Sequence, residues 1–161
     1  LLQILNMAST YKLEDITEEF NKCLKKLVSI ASDTIQGESM STVSLFETAR
    51  RKINLIVGTD PVYMLDSAGS YLYKYRNVIT SGDFNDFIMN TEKYIVEDDR
   101  QELEGKIKDV SSEELNCAES LINTLRSKWG DYSDKEKRTI NKHVKKMLSE
   151  YCKYLIYNIN H

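Results

Sequence analysis

Apolar residues return every three or four positions along almost the whole chain, which is the spacing of one face of an α-helix. A single proline and six glycines leave long stretches without a breaker, a pattern that suits helices and defeats a turn-dense β fold. Together these features predict an all-α protein, a single-domain bundle of six or seven helices with short polar connections. Residues 1–11 read as an N-terminal extension: Met7-Ala8-Ser9-Thr10 has the look of a translation start, and 1–6 of a leader or cloning remnant. Residues 12–161 read as the single helical domain, since no Pro-, Gly- or Ser-rich linker divides them.

The stripes and their stop signals place the helices. The first spans about 12–35, with Ile16, Phe20, Cys23, Leu27, Ile30 and Ala31 inward and Glu18, Asn21, Lys22 and Lys25 outward. The second covers about 41–57, carries Val43, Phe46, Ala49, Ile53 and Val57, takes Ser39 or Ser41 as its cap and has Gly58 just past its end. Asp60-Pro61 is the sharpest start signal: the aspartate accepts an orphan amide, and proline at the first helical position has no N–H to leave unpaired. That helix is expected to reach about Thr80 with Leu65, Ala68, Leu72, Tyr75 and Ile79 inward, and Gly69 inside it permits a close helix approach. Residues 71–76 also alternate with period two, a minority strand reading. Asp83 should cap a helix bearing Phe84, Phe87, Ile88, Tyr94 and Ile95; an acidic segment at 97–110 follows. Ser111 and Glu114, then Ser133 and Glu136, fit the capping box. The helix after Ser111 carries Leu115, Ala118, Ile122, Leu125 and Trp129 and stops at Gly130, and the last runs about 134–158 with Ile140, Val144, Met147, Tyr151 and Leu155.

Chemistry is thin. Zinc and di-iron sites need several His, Cys or carboxylates projected from one face, and this chain has only His143 and His161 and no Cys-x-x-Cys, so no metal is expected. No glycine-rich phosphate loop occurs, so no nucleotide cofactor is expected either. A cysteine nucleophile needs a base; Cys152 and His143 share one helix nine positions apart, on opposite flanks, and cannot partner each other. Cys23 lies on a core stripe, whereas Cys117 and Cys152 sit off theirs and are candidates for partial exposure. Three distant cysteines and no Asn-x-Ser/Thr site favour an intracellular, reducing compartment, and no run of about 18 apolar residues offers a membrane span. Abundant Lys, Ile, Asn and Tyr fit an AT-rich coding sequence, as in large DNA viruses and some protists, which makes a viral source an expectation.

Two surfaces remain. On the last helix Lys135, Arg138, Lys142, Lys145 and Lys153 fall on one stripe, with Lys146 beside it, opposite the apolar face. They form either a footprint for nucleic-acid phosphates or an acidic partner, or the ordinary solvated side of an amphipathic helix. Arg50-Arg51-Lys52 is a smaller patch with the same two readings. Tyrosines crowd two helices; Tyr71, Tyr73, Tyr154 and Tyr157 are candidates for a protein interface. The acidic 97–119 region and the basic 135–153 region can attract each other within or between molecules. The leading expectation is a non-enzymatic module acting by protein contact or self-association, as an assembly or structural component. The alternatives are a nucleic-acid-binding protein using the last helix and an enzyme whose site no linear motif reveals.

Overall fold

The structure, a computed structural model, describes residues 10–81, 84–89 and 123–161. Among these residues the bounded α-helices are, in chain order, α1 Leu13–Thr34, α2 Met40–Thr59, α3 Pro61–Lys74, α4 Arg76–Ser81, α5 Phe84–Met89 and α6 Asp134–Asn160. Residues 123–127 are also helical and lead into a 3₁₀ turn, Trp129–Asp131. No strand occurs among the described residues, so the alternation at 71–76 does not make one. The expected caps at Asp83 and Ser111, the apolar positions Tyr94, Ile95, Leu115, Ala118 and Ile122, the acidic segment and Cys117 lie outside the described residues.

Three helices, α1, α3 and α6, pack on one another; α2 lies against α1 and α3, and α4 and α5 sit at one end, with α4 also touching α6. The stripes read from sequence form the core: Ile16, Phe20, Cys23, Leu27 and Ala31 of α1 meet Leu65 of α3 and Ile140, Val144, Met147 and Tyr151 of α6 in one buried cluster. Ile30, Val43, Ala68, Leu72 and Leu155 are only half-buried. Phe20, Leu65, Ile79 and Ile140 are fully enclosed.

The starts follow the cap chemistry. Ser39 accepts from the Thr42 amide, Asp60 from the Tyr63 amide with Pro61 behind it, and Ser133 and Glu136 complete a reciprocal capping box. Three boundaries differ from expectation. Helix α2 continues through Gly58 to Thr59, because a glycine with negative φ does not end a helix. The helix starting at Pro61 breaks at Tyr75, whose amide turns back to the Leu72 carbonyl at 3.0 Å before the chain restarts at Arg76. The break turns the Tyr75 ring into the core, 5.1 Å from Phe87 and 5.2 Å from Tyr71. Trp129 does not end its α-helix but opens the 3₁₀ turn, where its indole N–H donates to Asn85 Oδ1 at 2.9 Å and its ring packs on Phe84 and Tyr132.

Asn21 also departs from its expected outward place. It is buried, and its amide donates to the Pro61 carbonyl at 3.3 Å, using a polar side chain to tie α1 to the first turn of α3. Gly69 does serve a close approach: the Tyr151 ring of α6 lies where its Cβ would be, 2.2 Å from Cδ2, and Tyr151 Oη bonds Ser70 Oγ at 2.9 Å.

Candidate functional site

Helices α1 and α6 run antiparallel. Thr34 Oγ1 and Tyr132 Oη share a 3.0 Å hydrogen bond where α1 ends and α6 is about to begin, while Lys153 Nζ lies 5.8 Å over the Tyr11 ring at the other end. Between them opens a groove of about 820 Å³. One wall carries Lys22, Lys25, Lys26 and Ser29 from α1; the other carries Lys142, His143, Lys145 and Lys146 from α6; Cys23 lies at the floor and Glu19 is the one carboxylate of the lining. On each wall the lysines fall within four residues, about 6 Å of helix axis.

The physical reason for the cluster is the packing itself. Each helix turns its apolar stripe into the core, so the residues flanking the seam are the polar ones at its margins, and on both helices three of these are lysines. All six lysines are exposed. Among the described residues, Lys22, Lys25, Lys26, Lys142 and Lys145 have no carboxylate partner. Like charges at this spacing repel one another across the groove.

Four residues of the predicted stripe, Lys135, Arg138, Lys142 and Lys145, are exposed on α6 as expected. The other two have a second task. Lys146 Nζ lies 3.3 Å and Lys153 Nζ 3.0 Å from Oε1 of Glu150, a carboxylate only 3% exposed on the core side of α6. The sequence reading missed Glu150; its signal was a glutamate bracketed by lysines at −4 and +3, next to the buried Tyr151. It also missed Lys26, and it took Lys22 and Lys25 for ordinary solvated positions. The smaller patch is partly neutralised, since Arg50 hydrogen-bonds Glu47 at 2.6 Å and that bond holds the Glu47 carboxyl below its ordinary range.

The groove's thiol and imidazole are Cys23 and His143. Burial, with the Glu19 carboxylate beside it, pushes the Cys23 thiol up, and burial does the same to Cys152, so both favour the unreactive protonated form. With its proton on Nδ1, His143 donates to the Thr139 carbonyl at 2.7 Å, which leaves Nε2 as an acceptor. Among the described residues no three His, Cys, Asp or Glu converge as metal ligands, and no helix is long and apolar enough to cross a membrane.

The candidate tyrosines are all half-buried. Tyr73 lies 5.8 Å from the Tyr151 ring with Arg76 stacked 4.3 Å over it, Tyr154 lies 6.0 Å from Tyr151, Tyr71 packs on Tyr75, and Tyr157 stacks on His161 at 4.1 Å. Each ring thus has an aromatic neighbour within the fold and keeps part of its surface exposed. No family model, curated protein or solved structure is significantly similar to the chain. Function therefore rests on the site.

Proposed function

We propose that this chain is a non-enzymatic binding module that captures a polyanion in the groove between α1 and α6. One observation carries the reading: in a protein of net charge −3, six lysines from two helices converge on a single groove whose lining holds one carboxylate. Packing alone puts polar residues on both margins of a seam, but it does not require that they be lysines on both sides with one carboxylate among them. Free thiols at Cys23 and Cys152 fit an intracellular setting for such a module.

Heparin is the probe. The wild-type protein is expected to bind a heparin column at 50 mM salt and elute as salt rises. Lys142→Glu with Lys145→Glu, and separately Lys22→Glu with Lys26→Glu, should each weaken binding by about tenfold or more and lower the salt slope by about two. Unchanged helical circular dichroism would show that each pair folds. Flow-through of the wild type rejects the proposal; loss with the α6 pair alone rejects the groove in favour of a single helix face.

A second reading, self-association, is favoured by α2. Met40, Leu45 and Leu55 are 89%, 72% and 65% exposed, which leaves apolar area on one helix that a second copy could cover. Light scattering at micromolar concentrations should then give a mass above 18.7 kDa that falls to it in the Leu45→Lys, Leu55→Lys variant. A wild type that stays at the monomer mass throughout excludes this reading.

A further inference from the structure

Within the polyanion reading, on which this step rests, we infer that the groove takes duplex nucleic acid, held through its phosphates and without selection of bases. The first argument is the kind of cation. Beside Glu19 and His143, the charged groups of the groove walls are six lysines, each a compact, strongly hydrated ammonium, and the lining holds no Arg, Asn or Gln. Adenine edges are read by Asn or Gln, which the lining lacks, and although lysine can also meet guanine, rows of exposed ammonium groups are first of all contacts for phosphate.

The second argument separates duplex from single strand. Proteins that hold single strands stack the bases on aromatic rings. No Tyr, Phe or Trp lines this groove.

The third is the arrangement in two rows. Packed helices lie about 8–10 Å apart, so lysines rising from both walls form two facing lines of charge. A duplex presents phosphates in just that way, one row from each strand, on either side of a minor groove about 6 Å wide. A single strand or an acidic helix presents one row and would leave a wall unneutralised. The α6 wall also continues beyond the groove: Lys135, Arg138, Lys142 and Lys145 recur at steps of three and four, giving a straight track of about 15 Å. At about 3.4 Å per phosphate along a strand, that track covers four or five nucleotides.

Fluorescence anisotropy of the full chain against labelled probes tests this. The probes are two 20-base-pair duplexes of unrelated sequence, their separated strands, and polyglutamate. The two duplexes are expected to bind equally within about twofold and each strand at least fivefold more weakly, with polyglutamate weaker still. Neutralising four to six phosphates should make duplex affinity fall roughly 10²- to 10³-fold between 50 and 200 mM salt. Lys22→Gln with Lys26→Gln, mild exposed changes, should remove most of the preference for duplex over strand by taking two of the three cations from one row. Single strands bound as tightly as duplex, a tenfold preference between the two duplexes, or polyglutamate bound equally well would overturn the inference while heparin retention leaves the polyanion reading standing. If heparin is not retained either, both fall.

Discussion

Gly69→Val is expected to cost about 3 kcal/mol of folding stability or more, whereas Gly58→Ala should raise stability by about 0.4–1 kcal/mol. Both glycines sit inside α-helices with ordinary negative φ, so backbone strain does not distinguish them. Surroundings do. A Cβ on Gly69 would fall 2.2, 2.6 and 2.9 Å from three carbons of the Tyr151 ring, far inside van der Waals contact, while one on Gly58 would meet nothing within 4 Å. The ring has nowhere to retreat. Its hydroxyl is bonded to Ser70, and Tyr73 and Tyr154 lie against it at 5.8 and 6.0 Å. Helix α3 must therefore move away from α6; overpacking typically costs about 1–3 kcal/mol and occasionally more, and valine's two further methyls put this case at the upper end. At Gly58 only the gain remains, because alanine loses less conformational entropy than glycine on entering a helix. Urea unfolding followed by circular dichroism measures both. A Gly69 variant as stable as wild type would mean that α3 and α6 do not approach as described.

That contrast also shows what a sequence can reveal. The spacing of Ile16, Phe20, Cys23, Leu27 and Ala31 reports a core face because burial selects apolar letters, and the starts at Asp60-Pro61 and Ser133 are legible because caps are local chemistry. Gly69 could be flagged for a close approach, but its partner is 82 positions away and nothing local names Tyr151. Buried Asn21 and Glu150 were hidden for the opposite reason: a polar letter reads as surface unless its partner is known, and those partners come from tertiary contact or from lysines that look solvated. The break at Tyr75 has no glycine or proline to announce it; packing of the ring on Phe87 and Tyr71 decides it. The groove was least legible. Half of it, the α6 stripe, was visible as a charged face, but its other wall comes from α1, more than a hundred residues earlier, and only the antiparallel placement of the two helices makes them one surface.

Replacing both Lys146 and Lys153 by methionine is expected to destabilise the protein by about 3 kcal/mol, and adding Glu150→Gln should recover most of the loss. Glu150 is almost wholly removed from solvent, and its Oε1 is held by the two ammonium groups at 3.3 and 3.0 Å. Taking both away leaves a buried carboxylate without its counter-charge, which typically costs about 3–5 kcal/mol; the lower end applies here because the lysines themselves are partly exposed and water reaches the rim. The reverse change is not symmetrical. Glu150→Gln alone should cost within about 1 kcal/mol, since both lysines can swing back into water while a neutral amide replaces the buried charge at nearly the same volume. The non-additivity of the triple variant, measured by urea unfolding, is the decisive quantity: two residues acting only as surface charge would give single effects that simply add. A double methionine variant that loses nothing would show that Glu150 is not held by these lysines, and would return both to the set of cations free to meet a ligand.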